Sequence, residues 1–217
     1  MPNISLKKVK ELIEAGESSM VEFKRKILHP DKIAKEIVAF ANSKGGYLIV
    51  GVDDNGEIYG IDSEKYEIEA INNCCNFLID PPITPEIDIK YFGKKYIVVC
   101  YIKESEIKPH YLIKIENEQR RLQAYIRVGE KSIPASKEMT KILAGQGKFS
   151  KPITIYIGDK EKRYFEFLEK NERGSVNDFA KLVNISKQRA RRIIVNLVRA
   201  DVLAIHCDNG GDYYTLK

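Results

Sequence analysis

The strongest chemical pattern in this chain lies between positions 187 and 199. Lys187, Arg189, Arg191, Arg192 and Arg199 stand there without one acidic residue, while Ala190, Ile193, Ile194, Leu197 and Val198 recur at helical spacing. That spacing buries one stripe of a helix and leaves the cations on the remaining face. Such a face suits a polyanion, because Lys and Arg displace counterions from phosphates and the first residues of a reading helix reach base edges. Lys187, Gln188, Arg189, Arg191 and Arg192 are therefore candidate nucleic-acid contacts. Charge distribution agrees: residues 145 to 217 hold 14 Lys and Arg against 9 Asp and Glu, whereas the preceding residues balance at 22 against 22. The whole excess of +5 sits in the last third, the asymmetry expected of a module facing nucleic acid.

Other reactive residues carry less. His29, His110 and His206 have no mutual spacing for a metal site or a catalytic dyad. Cys74, Cys75, Cys100 and Cys207 fit neither metal-ligand spacing nor a disulfide framework and are expected to be buried thiols. Gly45-Gly46 follows a helical stripe and precedes an apolar run, the reverse of a phosphate-binding loop, and lacks the Gly-Lys-Ser/Thr ending. Its expected role is a helix stop. Asn42 and Ser43 suit either a ligand contact or capping and turn bonds. A composition of 43% hydrophobic and 31% charged residues, with no apolar run of spanning length and no apolar stretch in the opening MPNISLKKVK, leads to the expectation of a cytoplasmic protein with no membrane partner.

The elements that must position these residues follow from local rules. Around the basic helix, 160 to 170 forms a helix followed by Gly174, and Ser175 caps a second helix with Asp178 completing a capping box. Asn184 accepts the left-handed conformation that closes this helix, and Ser186 caps the next. This is helix-turn-helix spacing. Strands 202–207 and 212–216 flank Asp208-Asn209-Gly210-Gly211, a hairpin turn that makes the pair a wing. A winged helix-turn-helix domain is thus expected over 159–217, joined by a linker, 146–158, with at most a short strand. A mere solvated face, or dimerisation through the winged helix, is the alternative use of the basic helix.

Upstream, the pattern predicts helices at 5–15, 31–43, 64–78 and 136–143. Strands are expected at 20–24, 47–52, 57–60, 86–92, 95–103, 110–115 and 122–128, with Asp53-Asp54-Asn55-Gly56 turning one hairpin. Helices interleaved with strands and then a run of strands give an α+β domain over 1–145.

Within that domain, the segments Glu17-Ser18-Ser19-Met20-Val21-Glu22-Phe23-Lys24, Ala39-Phe40-Ala41-Asn42-Ser43-Lys44-Gly45-Gly46, Gly51-Val52-Asp53-Asp54-Asn55-Gly56 and Tyr125-Ile126-Arg127-Val128-Gly129, with Ala135-Ser136 beyond them, occur in one order. Together they resemble the Schlafen-type, AlbA-like DNA-binding domain over roughly residues 10 to 145. The resemblance implies a mixed Schlafen/AlbA-like fold and nucleic-acid binding, and many bacterial members join this domain to a helix-turn-helix. In nucleolytic animal members, carboxylates matching Glu17, Glu22 and, most similar, Asp53 serve a metal ion. The same resemblance therefore implies Mg²⁺ or Mn²⁺ held by Glu17, Glu22 and Asp53 if this chain is a nuclease, with no certain cofactor otherwise. Hard cations of this kind take oxygen ligands, and Lys24, on the same strand face as Glu22, would neutralise a phosphate. The spacing from Glu22 to Asp53 is shorter than in those members. Arg127 is placed either to contact a backbone phosphate or to form a surface ion pair.

The leading expectation is a DNA-binding transcriptional regulator that favours duplex DNA, possible as a homodimer on paired half-sites. The alternative is a metal-dependent endoribonuclease acting on structured RNA such as transfer RNA.

Overall fold

The computed structural model describes residues 4–148, 150–208 and 211–217. Among them, no helix is long and apolar enough to cross a membrane. Contacts divide the chain into two compact units, Met1–Ala135 and Ser136–Lys217, and the architecture is α+β.

The first unit opens with Leu6–Ala15 (α1), started by Ser5, whose Oγ accepts the Lys8 N–H at 3.2 Å, and stopped at Gly16. Val21–Lys24 (β1), Pro30–Asn42 (α2) and Gly46–Val50 (β2) make a parallel crossover in which Glu22 lies opposite Leu48. Glu64–Phe77 (α3) leads to the short strand Ile79–Asp80 (β3), then to Glu86–Phe92 (β4) and Lys95–Ile102 (β5). The main sheet runs β1-β2-β5-β4, with β5 antiparallel to both neighbours.

Strand pleat decides what each face of that sheet holds. Ile97 and Val99 of β5 join Val21, Phe23, Ile49 and Val9 of α1 on one side. Val98, Cys100 and Ile102 join Leu48, Val50 and the apolar stripes of α2 and α3 on the other. Successive side chains alternate between the faces, so these continuous apolar runs fill two cores at once. Each large apolar side chain so buried contributes about 1.5–3 kcal/mol.

Gly45-Gly46 allows α2 to stop directly beside the sheet. Gly45 has φ +75°, and its N–H donates to Phe40 O at 2.9 Å. A Cβ there would stand 2.6 Å from Ile102 O, and one at Gly46 would fall inside the Phe40 ring contact at 2.3 Å. The glycines are there for close packing.

Tyr111–Glu116 (β6) pairs with β3 on one side and with Gln119–Gln123 (β7) on the other, and Tyr125–Val128 (β8) and Lys131–Pro134 (β9) form a hairpin against α2. Where the sequence led us to expect one strand over 122–128, there are β7 and β8, separated at Ala124. Strand β7 escaped notice because Gln119, Arg120, Arg121 and Leu122 are exposed and carry no apolar alternation. Its hairpin turns on Asn117 and Glu118, both at positive φ (51° and 62°), without a glycine. The expected strand 57–60 reduces to a single bridge between Val52 and Ile58, because Tyr59 and Gly60 both donate to the Gly51 carbonyl instead of continuing a ladder.

The second unit comprises Lys137–Gln146 (α4), Asp159–Asn171 (α5), Val176–Leu182 (α6), Lys187–Arg199 (α7) and the antiparallel pair Leu203–Asp208 (β10) and Gly211–Leu216 (β11). Helix α4, which the sequence placed at the end of the first domain, groups with the second unit because it packs along α7. No strand forms among the described residues of 146–158. Tyr164, Leu168, Phe179, Ala190, Ile194, Leu197, Leu203 and Tyr214 make the core. Gly174 exchanges two backbone hydrogen bonds with Tyr214, adding a rung to the hairpin. The turn residues Asn209 and Gly210 lie outside the described residues.

Candidate nucleic-acid interface

In the first unit, β1 directs Phe23 into the α1 core and Glu22 to the opposite face, beside α2 and β8. There Arg127 Nη1 donates to Glu22 Oε2 at 3.0 Å and to Glu36 Oε2 at 2.8 Å, while Nη2 donates to Ser18 O at 2.6 Å. Lys24 Nζ donates to Glu22 Oε1 at 2.5 Å, Lys35 Nζ lies 2.9 Å from Glu36 Oε1, and Ser132 Oγ donates to Glu36. The guanidinium also lies over the Phe40 ring, 4.7 Å from its centroid. The Arg127 side chain is 1% exposed, so the expected phosphate contact or surface ion pair is replaced by a buried one. The physical reason is that β8 lies against α2 and buries Arg127 on that side, as it does Tyr125, where a guanidinium is tolerated only beside carboxylates. Sequence reasoning passed over Glu36. The signal was available: an acid within the apolar stripe Ile33, Ala34, Ile37, Val38 and Phe40 requires a cation.

The other members of the expected carboxylate trio are committed to the backbone. Glu17 Oε1 accepts the Phe23 N–H at 2.9 Å, and Asp53 Oδ1 accepts the Asp54 N–H at 3.1 Å within its own turn. Burial pushes the Glu17 carboxyl above its ordinary pKa; the Phe23 N–H pulls it down, Glu22 pushes it up, Lys24 pulls it down, and Asp54 pushes it up. The charge that reaches Glu17 from the 53–56 turn is thus that of Asp54. Among the described residues, no three His, Cys, Asp or Glu side chains are grouped to hold a metal ion. Glu17, Glu22 and Asp53, engaged as they are, do not fit a hard divalent cation, which needs several free oxygens converging.

Glu17→Gln should raise thermal stability at pH 7, because glutamine keeps an acceptor for Phe23 and removes a partly desolvated charge. A raised folded-state pKa means that the carboxyl's stability contribution is present at low pH and lost as pH rises. The advantage of the variant should therefore vanish below the ordinary carboxylate pKa. Melting curves from about pH 3 to about pH 8 test this, and a constant offset across them would contradict it.

In the second unit, local capping sets the helices. Ser175 and Asp178 form the reciprocal box over α6, with Ser175 N donating to Asp178 Oδ2 at 2.8 Å. Asn184 has φ 51°, Ile185 N donates to Ala180 O at 3.0 Å, and Ser186 Oγ accepts the Arg189 N–H at 3.2 Å to start α7. Lys187, Gln188, Arg189 and Arg192 are exposed. Arg191 is also exposed, but its guanidinium pairs with Glu138 of α4. The structure therefore brings four of the five expected contacts to an open cationic surface and turns the fifth toward a carboxylate. The sequence could not signal this, because Glu138 lies on a helix assigned to the other domain.

Fold and site together define an α+β protein in which a buried Arg–Glu cluster organises the first unit and a solvent-facing basic helix marks the second. The family model described as Schlafen, AlbA_2 matches residues 17–136, more than half of the chain. The chain belongs to the Schlafen, AlbA_2 family. Among solved structures it is similar to the DIP2311 protein from Corynebacterium diphtheriae, with 23% identity and a TM-score of 0.47 over 66% of this chain and 32% of that one. It is also similar to the N-terminal domain of a DNA helicase RecG-related protein from Nitrosomonas europaea, with 26% identity and a TM-score of 0.44 over 57% of this chain and 87% of that one. The chain thus spans about a third of the DIP2311 protein.

Proposed function

We propose that this chain is a DNA-binding regulator whose second unit acts as a winged helix-turn-helix, docking the first turn of α7 on duplex DNA. Family membership supports a nucleic-acid-binding role. The observation that carries the finer reading is the state of α7's opening turns. Lys187, Gln188, Arg189 and Arg192 are exposed, and none of the three cations has an ion-pair partner among the described residues. The opposite face of α7 is fixed in the core through Ala190, Ile194 and Leu197. A reading helix needs this combination: a rigid back, and N-terminal residues free to meet base edges and phosphates.

Titrating labelled duplex DNA at several salt concentrations tests the reading. Neutralising about three phosphates per unit would give a slope of about −2.7 in log K against log salt. Lys187→Ala with Arg189→Ala should reduce that slope by about 1.8 and weaken binding at low salt. Duplex binding by the double variant equal to that of the parent would overturn the assignment.

A further inference from the structure

Helix α7 has a second neighbour besides its core. Val195 is only 6% exposed although it is outside the cluster formed by Ala190, Ile194 and Leu197, and it lines one cleft with Lys141 and Ala144 of α4. Glu138, near the start of α4, pairs with Arg191. Near the other end of α4, a Cβ at Gly145 would stand 2.1 Å from Arg199 Nε, so the two helices run close together there as well. Between them opens a cleft of about 680 Å³ lined by Lys141, Gln188, Arg189, Arg192, Asn196 and Arg199, with no acidic side chain lining it among the described residues. Lys141 and Arg192 have no ion-pair partner among the described residues. Arg199 Nη2 donates to Lys151 O at 3.0 Å, while its Nε is buried without an acceptor among the described residues.

The dimensions limit what can enter. Packed helices lie about 8–10 Å apart and each is about 10–12 Å across, so α4 and α7 form a body about 20 Å wide. A DNA major groove is about 12 Å wide. With α4 in place, only the opening turns of α7, up to Arg192, can meet a duplex, and Arg199 with Lys141 of α4 must face something thinner. A single phosphodiester strand meets both requirements, being narrow and carrying one negative charge per nucleotide. Among the described residues no aromatic side chain lines the cleft, so the residues that do would grip the backbone and leave the bases unread.

We propose that the α4–α7 cleft is a binding site for one unpaired nucleic-acid strand, with Lys141 and Arg199 facing its phosphates. The proposal rests on the reading that α7 faces nucleic acid, and adds an unpaired segment to the substrate.

The test compares a labelled oligothymidylate of roughly 12 nucleotides, a length within single-strand site sizes, with blunt duplex DNA, using the full chain. Lys141 is exposed on α4 and lies outside the turn proposed for duplex docking. Lys141→Glu should weaken oligothymidylate binding about tenfold or more, and Lys141→Gln should lower its salt slope by about 0.7. Duplex affinity should change less than about twofold with either variant, since no groove contact is removed. Unchanged oligothymidylate binding by Lys141→Glu, or an equal loss on both nucleic acids, would overturn the cleft. A parent that holds oligothymidylate in a Lys141-dependent manner but no duplex would support the cleft and overturn the duplex reading alone.

Discussion

Arg127→Ala is expected to destabilise the first unit by about 3–5 kcal/mol, the usual cost of removing one partner from a buried ion pair. The guanidinium serves Glu22, Glu36 and Ser18 O at once and is 1% exposed. Without it, two carboxylates are left beside each other, and among the described residues the cations that remain to compensate are Lys24 and Lys35, each about a third exposed. Arg127→Lys should recover only part of the loss, because an ammonium is a point charge that cannot span both carboxylates and a carbonyl. Replacing Glu22, Glu36 and Arg127 together with apolar residues of similar volume should restore most of it, since desolvation of the charges offsets much of their attraction. Urea denaturation of the three variants measures these differences. A loss below about 1 kcal/mol for Arg127→Ala, the range of an exposed pair, would show that the cluster does not hold the unit together.

Asn42→Asp should be comparably damaging, although it replaces one atom. The Asn42 side chain is 2% exposed as a residue and bridges three backbone groups: Nδ2 donates to His110 O at 2.9 Å and Tyr125 O at 3.0 Å, and Oδ1 accepts the His110 N–H at 2.8 Å. It thereby ties the end of α2 to the segment entering β6 and to β8. Aspartate keeps the acceptor but turns a carboxylate oxygen toward two carbonyl oxygens. Each buried group left unsatisfied costs about 1–3 kcal/mol, so the two carbonyls alone imply a loss of about 2–6 kcal/mol at neutral pH. Asn42→Ala loses the His110 N–H bond as well but avoids the repulsion, and should fall less. The gap between the two variants should narrow in acid, where a protonated aspartate can donate one bond. Equal stability of Asn42→Asp and Asn42→Ala at pH 7 and in acid alike would refute this account.

Both predictions concern residues that looked available for ligands. Asn42 and Arg127 belong to segments that carry the family resemblance, and their polarity suggested contact with phosphate. The structure uses both inside the fold. Ser43 shares this role: its Oγ accepts the Arg127 N–H at 2.9 Å. Polar residues in a family's characteristic segments can thus be the joints of its fold as well as its binding groups.

What the sequence determined by itself was whatever depends on near neighbours. Ser5, Ser175 and Ser186 start helices through bonds to residues three positions on, and Asn184 takes the left-handed turn between α6 and α7. The apolar stripe of α7 fixes which side faces the core, and so which cations face out. Strand alternation put Glu22 and Lys24 on one face, where they pair. These choices are made within a few residues by dihedral preference, capping and periodicity, so they can be read in order along the chain. The fate of Arg127 depends on Glu22 and Glu36, 105 and 91 positions away, and that of Arg191 on Glu138 across a helix–helix contact. Only the tertiary structure decides whether such a charge meets solvent or a carboxylate, because desolvation and pairing depend on what the rest of the chain packs against it. The basic helix was legible from its own thirteen residues; the helix laid beside it, and the cleft between them, were not.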